Sequence, residues 1–366
     1  MKIIHCADLH LDSKLSANLD KEKAKIRRGE ILNTFVRMVR YADNNDINVI
    51  IVAGDMFDTK SISATTKNTV LHTINEYPNI KFYYLKGNHD SDNFLSGLDN
   101  IPENLYLFDD KWKTYYEADG QIAITGTELC EDNHGSAYVS LVLNNDLFNI
   151  VVLHGQEAES SSKDKAEVIN LRELRNRGID YLALGHIHAY KKESLDARGT
   201  YCYPGCLEGR GFDECGEHGF VVLDIDATNK SYEHIFVPFA YRKLLTVAVD
   251  VTGLDSTALM ISKARSILDE LNVSDENMIK FVLSGEVDVE CEKDADIFNA
   301  AFANEYYYTK TYDETTLKLD AEVYRLDESL KGEFVRSVLA DDSISENDKK
   351  EVIRYGLLAL AGEDIV

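Results

Sequence analysis

Residues 48–58 read NVIIVAGDMFD, an unbroken apolar run followed by Gly54-Asp55-Met56-Phe57-Asp58. A run of this length with no polar alternation predicts a strand buried on both faces, the kind that fills the middle of a parallel sheet. The glycine that ends it marks a turn, and the two aspartates sit where the chain leaves the sheet. The same plan recurs outward in both directions. KIIHCADLH at 2–10 ends in Asp8-Leu9-His10, and IKFYYLKGNHD at 80–90 ends in Gly87-Asn88-His89-Asp90. LFNIVVLHG at 147–155 ends in His154-Gly155, and YLALGHIH at 181–188 in Gly185-His186-Ile187-His188. Helical patterns around 24–42 and 64–77 separate the first three runs, which predicts βαβ units and a mostly parallel sheet.

Later runs at 201–203, 220–225 and 232–237 continue as strands, increasingly antiparallel in appearance. The expected fold class is therefore α/β (α+β): a two-sheet β-sandwich flanked by helices. Near Pro238 the pattern changes to strand 244–251, helix 256–271, strand 278–287, helix 295–304 and strand 306–312, a small α+β cap. From about Leu317 the chain reads as mostly helical, with apolar periodicity in 330–339 and 352–360. The expected domains are a catalytic domain at 1–240, an α+β cap at 241–315 and a helical C-terminal segment at 316–366.

In an open α/β sheet, ligands collect at the carboxyl ends of the strands, so motifs spread over residues 8 to 188 can converge on one site. Residues i and i+2 of an extended segment point to the same side. Asp8 and His10 can thus reach one ion, and His186 and His188 a pair of neighbouring ions. The candidate metal ligands are Asp8, His10, Asp55, Asn88, His154, His186 and His188: two carboxylates, one amide oxygen and four imidazoles. That mixture suits Mn²⁺, Fe or Zn²⁺ and suits Ca²⁺ poorly, with manganese the first choice. Two divalent cations outweigh the two carboxylates and a hydroxide, which leaves the net positive charge an anionic phosphodiester needs. Metals about 3.5–4 Å apart share a carboxylate and a water, bring that water's pKa to roughly neutral and clamp the phosphate for in-line attack. Asp55 is the candidate bridge.

Each motif alone has a plainer reading. A Gly-Asp at a strand end is often a turn whose Asp caps the next helix, and GNHD is equally a tight turn. GHxH can be two satisfied histidines, and His154 a buried hydrogen-bonded one. Five motifs in order, each after a strand, carry the argument that none carries singly. His89 is held back for catalysis, while His5, His72, His134, His218 and His234 are expected to be structural.

The bulk composition bounds the rest. With 366 residues, 44% of them hydrophobic, the chain can bury a large core and divide into domains. Its net charge of −25 counts against strong stand-alone affinity for DNA backbone. Residues 241–366 hold 14 Lys or Arg against 27 Asp or Glu, about half the excess. Local basic stretches, Lys21, Lys23, Lys25, Arg27 and Arg28, then Lys191, Lys192, Arg198 and Arg210, read as solvated faces or loops, with phosphate contact as the other reading. Six scattered cysteines without a CxxC pair predict reduced thiols. The spacing of Cys202, Cys206 and Cys215 fits a metal cluster poorly. Met1–Ala7 lacks the features of a signal peptide. No apolar run approaches the roughly 18 residues that span a membrane, so the expectation is a cytoplasmic protein with no membrane association.

The five motifs together resemble those of the calcineurin-like metallophosphoesterases: D-x-H, G-D-x-x-D, G-N-H-[DE], a strand-end His and G-H-x-H, over residues 1–240. The resemblance implies that Asp8, His10, Asp55 and His188 hold one metal, and that Asp55, Asn88, His154 and His186 hold the other. It makes His89 the catalytic histidine, which stabilises the transition state or protonates the leaving oxygen. Asp58 either orients that imidazole or makes a loop hydrogen bond. Within the superfamily the chain looks most like SbcD-type DNA-repair exonucleases. The features that point there are the opening MKIIHCADLHLDS, Tyr203-Pro204-Gly205-Cys206-Leu207-Glu208 followed by Gly219-Phe220, and a cap with helices after it. That resemblance implies a DNA substrate admitted by the cap, and an SMC-like ATPase partner resembling SbcC docked on the C-terminal helices. Such a partner would bring the basic surface this chain lacks. The resemblance also implies a homodimer. Residues 285–296 depart from the pattern in being strongly acidic. Two other readings stay open: a phosphoesterase for small nucleotides or phosphoproteins, and a non-catalytic scaffold subunit of an ATPase complex. The intact ligand set, Asn88 and His89 included, argues against the scaffold.

Overall fold

The computed structural model describes residues 1–15, 19–58, 62–90, 94–95, 100–133, 136–159, 168–288, 291–318, 324 and 326–361. His134 and parts of the expected C-terminal helical segment, 319–323, 325 and 362–366, lie outside the described residues. The chain forms two compact units, Met1–Lys243 and Leu244–Val366.

The first unit holds two six-stranded sheets. One runs Ser231–Pro238, Gly219–Asp226, Lys2–Cys6, Val49–Ala53, Lys81–Leu85 and Leu105–Leu107 across its width, parallel from Lys2–Cys6 onward and antiparallel on the other side. The other runs Lys191–Ser194, Thr200–Tyr203, Tyr181–Gly185, Phe148–His154, Ile122–Gly126 and Lys113–Glu117. Alternation along the strands builds the layers. Ile3, Ile51 and Tyr83 meet Ile122, Ile150 and Tyr181 between the sheets. Ile4, Ile50 and Phe82 face outward against Phe35 and Met38 of helix Lys21–Asn44 and Ile74 of helix Ala64–Glu76. The outer face of the second sheet buries Val151, Leu153, Leu182 and Leu184 with Tyr138, Leu171 and Leu174. Burial of each such aliphatic side chain contributes about 1.5–3 kcal/mol, which is why these strands carry no polar alternation. Both helices start on side-chain caps: Asp20 accepts from Lys23 N, and Ser63 from Thr66 N.

Within the two six-stranded sheets, four strands, Leu105–Leu107, Lys113–Glu117, Ile122–Gly126 and Lys191–Ser194, go beyond the sequence expectation. Three of them lie at sheet edges with half-exposed side chains and no apolar run to announce them, and the fourth, fully buried, offers only Ile122-Ala123-Ile124 before Thr125 and Gly126. Thr200–Tyr203, expected among the antiparallel strands, pairs parallel to Tyr181–Gly185. The intervening strand Lys191–Ser194 carries the reversal instead, pairing antiparallel on the outer side.

The second unit has a parallel sheet in the order Leu244–Asp250, Met278–Ser284, Tyr308–Asp313, linked by helices Thr257–Glu270 and Ala295–Ala300. Val247, Val249, Phe281 and Leu283 pack with Met260, Leu268, Phe298 and Phe302. Helices Leu330–Leu339 and Glu346–Ala361 pack through Val335, Val338, Ile353 and Leu357. Among the described residues no helix is long and apolar enough to cross a membrane.

His5 is one of the expected structural histidines and lies fully buried, its Nδ1 2.9 Å from Tyr181 Oη. Burial, with the nearby His234 imidazole adding to it, pushes His5 down to about 3. An unfolded imidazole takes up a proton below about 6.5, whereas the folded one resists until about 3. This contribution is therefore fully present above pH 6.5 and shrinks as the pH falls through that window, by up to about 1.4 kcal/mol per pH unit. Urea unfolding at pH 7.5, 6.5 and 5.5 should show a steeper loss for the native chain than for His5→Gln. Equal slopes would remove His5 from the account.

Candidate metal centre

Five strands end at one place: Lys2–Cys6, Val49–Ala53 and Lys81–Leu85 from one sheet, Phe148–His154 and Tyr181–Gly185 from the other. Backbone bonds lock the loops beyond them. Asp8 N donates to Gly54 O (3.1 Å) and His10 N to Asp55 O (3.0 Å). The Asp8 carboxylate takes His186 N at 2.9 and 3.0 Å, which joins the two sheets. Asp8, His10, Asp55 and His186 all have positive φ (52°, 43°, 51° and 105°), a conformation that costs a non-glycine residue about 1–3 kcal/mol. Gly54 (φ 93°) is glycine for a further reason, since a Cβ there would lie 2.1 Å from His154 Nδ1. A Cβ at Gly87 would lie 2.2 Å from Asp55 Oδ1.

The structure brings every sequence-predicted site residue into this one cluster. Donor atoms of Asp8, His10 and His188 lie within 4.8 Å of one another, as do those of Asp8, Asp55 and His154, and those of His10, Asp58 and His89. Asn88 Oδ1 is 3.0 Å from His154 Nε2 and 3.4 Å from His186 Nδ1. Asp55 Oδ2 stands between two imidazoles, 3.4 Å from His154 Nε2 and 3.8 Å from His10 Nε2. His89 is half-exposed, its ring against His10 and its Nδ1 3.7 Å from Asp58 Oδ1.

The donor set fits cations. His154 Nδ1 lies 2.9 Å from the Ala53 carbonyl, which must accept its proton, so the Nε2 lone pair faces the oxygens of Asn88 and Asp55. His188 Nδ1 donates likewise to Glu214 Oε1 (2.7 Å), turning its Nε2 toward His10 Nε2 at 3.1 Å. Buried His10 Nδ1 makes no hydrogen bond of good geometry, although Asp58 Oδ1 is 3.1 Å away. Lone pairs aimed at lone pairs repel unless a cation or a proton lies between them. Protons fill that role in the protein alone. Burial would lower His154, but its hydrogen bond to Asp55 and the carboxylate charges raise it to about 9. Burial would raise Asp55, yet the same contact holds it down at about 2. Burial lifts Asp8 to about 6. A divalent ion displaces such protons.

Three contributors have no site role in the sequence expectation. Asp90, quoted within GNHD, accepts from Gly87 N (2.9 Å), Phe57 N (2.9 Å) and Met56 N (3.2 Å), tying two ligand loops together. Glu214 orients His188, and Arg210 reaches both Glu214 and Asp58. Several residues of the basic stretches are engaged inside the unit rather than simply solvated. Arg27 is fully buried on Glu208, Arg198 pairs with Asp180, and Lys191 pairs with Glu157.

The family model for calcineurin-like phosphoesterases matches residues 1–190, over half the chain. The uncharacterized metallophosphoesterase YhaO of Bacillus subtilis is 28% identical over 64% of this chain and 59% of its own length. The DNA double-strand break repair protein Mre11 of Sulfolobus acidocaldarius is 24% identical over 68% of this chain and 67% of that protein. Mre11 of Saccharolobus solfataricus, also 24% identical, aligns over 97% of this chain and 94% of its own.

Proposed function

The chain belongs to the calcineurin-like phosphoesterases and is a metal-dependent hydrolase of phosphate esters, and from that premise we propose that it is an SbcD-type exonuclease cutting phosphodiester bonds in DNA. The observation that carries the reading is the convergence of imidazole, amide and carboxylate donors from five strand ends, two imidazoles being fixed from behind by Ala53 O and Glu214. Asp8, His10, Asp55 and His188 would hold one ion, and Asp55, Asn88, His154 and His186 the other. Two divalent ions there, manganese by the character of the donor set, supply a polarised water and positive charge against the phosphate.

The chain's own residues do the rest. Asp55 presents a carboxylate to both halves of the site, and its low pKa keeps it ionised. His89, exposed enough to meet a substrate, donates a proton to the leaving oxygen, and Asp58 lies within reach of its Nδ1. The second unit up to about residue 315 would act as the cap. Helices Leu330–Leu339 and Glu346–Ala361 would dock an SMC-like ATPase whose basic surface offsets the acidity of this chain, in a homodimeric assembly. The alignment to an archaeal DNA double-strand break repair protein over nearly the whole chain supports DNA as the substrate.

The test compares an end-labelled DNA duplex, bis(p-nitrophenyl) phosphate and a cyclic nucleotide, each with Mn²⁺ and with chelator. Metal-dependent shortening of the duplex is expected, and its ladder gives the polarity. Cleavage of the small esters alone would keep the two-metal centre and move the substrate to small nucleotides, a reading the net charge of −25 favours.

A further inference from the structure

The segment from Pro204 to His218 follows strand Thr200–Tyr203, and two of its side chains reach back into the candidate metal centre. Arg210 Nη1 donates to Asp58 Oδ1 at 2.9 Å, Nη2 to Glu214 Oε1 at 2.7 Å, and its backbone N to Glu214 Oε2 at 2.7 Å. Each carboxylate then faces imidazoles. Glu214 Oε1 takes the His188 Nδ1 proton at 2.7 Å, while Asp58 Oδ1 stands 3.1 Å from His10 Nδ1 and 3.7 Å from His89 Nδ1. One guanidinium thus holds two carboxylates that face three histidines of the site, and its Nη2 also lies 3.2 Å from His188 Nδ1. The segment is itself anchored. Buried Glu208 accepts from Arg27 Nη2, Thr34 Oγ1 and Tyr241 N, and Arg27 also donates to Gly209 O at 2.8 Å.

We propose that Arg210 is a positioning residue that sets the orientation of His10, His89 and His188 by locking Asp58 and Glu214 on one fork. The role presupposes the two-metal site proposed above. A planar guanidinium can hold two carboxylates at fixed angles, whereas an ammonium is a point charge that cannot. Without it, the two carboxylates flanking the imidazoles would be free to rotate, and the rings they orient would lose their fixed direction. The Arg210 donors point inward to Asp58 and Glu214, and its side chain is only 19% exposed, so the geometry favours positioning over a direct grip on substrate phosphate. Loss of such an outer partner costs about 10–100-fold in metal affinity or activity.

The experiment uses the full chain with Arg210→Met and Arg210→Lys. Mn²⁺ affinity of metal-stripped protein is read by calorimetry, and kcat and KM are read on bis(p-nitrophenyl) phosphate at saturating Mn²⁺. Arg210→Met should bind Mn²⁺ about 10–100-fold more weakly and lose kcat to a similar degree, with KM within about twofold. Added ethylguanidinium should restore part of the lost kcat, and Arg210→Lys should lie between the two. A KM raised more than about tenfold with unchanged Mn²⁺ affinity would assign Arg210 to the substrate and overturn the proposal. So would native Mn²⁺ affinity in either variant. If Arg210→Met does not fold, as judged by circular dichroism, Arg210→Lys decides alone. If the native chain binds Mn²⁺ but cleaves no ester, the proposed hydrolysis falls while the affinity comparison still judges Arg210.

Discussion

Asp55→Asn is expected to release both metal ions together, with a loss of affinity greater than the roughly 100-fold that removal of an outer partner costs. The substitution keeps the shape and removes the charge. Asp55 Oδ1 is held by His89 N at 2.9 Å, so Oδ2 alone faces both His154 Nε2 and His10 Nε2. Because the carboxyl is held at about 2, it is fully ionised at neutral pH, and an amide there forfeits a whole charge. One of its two possible orientations also points an NH₂ group at the ions. Metal analysis after gel filtration, together with calorimetric titration of Mn²⁺, decides the matter. Retention of two tightly held ions, or loss of only one, would show that Asp55 is not shared.

His89→Ala separates chemistry from metal binding. Phosphodiester turnover should fall by about 10²–10⁴, the usual contribution of a positioned acid, while both ions stay bound. The reason is structural: the hydrogen bond His89 makes to a proposed metal ligand is from its backbone N–H to Asp55, which alanine keeps. Its ring packs on His10 and reaches Asp58, but no metal-site loop depends on it. Loss of metal from this variant would sink the assignment of His89 as proton donor.

The legible parts of the molecule share a physical cause. Strands buried on both faces need continuous apolar side chains, so Val49–Ala53 and Phe148–His154 stand out in the sequence, and the polar residue that ends each one stands out with it. That sufficed to single out Asp8, His10, Asp55, Asn88, His154, His186 and His188, whose side chains the fold gathers at one place. Lys113–Glu117 and Lys191–Ser194 did not stand out, because an edge strand pairs on one side and tolerates polar side chains. Arg210 and Glu214 act through contacts with distant side chains, and no local pattern encodes such a contact. The charge of Arg27 reads as solvent-facing in a basic run, yet helical periodicity turns it inward onto Glu208.

The strand Lys2–Cys6 sits in the interior of its sheet, between Val49–Ala53 and Gly219–Asp226, with Ile3 paired to Leu223 and Ile4 to Val222. A ribosome therefore releases this apolar strand some two hundred residues before one of its two neighbours exists. Until then one side of the growing sheet offers unpaired amides and carbonyls to any extended chain nearby. The nascent strand is exposed through that interval, and the loop carrying His186 and His188 follows only after the strand's parallel neighbour Val49–Ala53 is made.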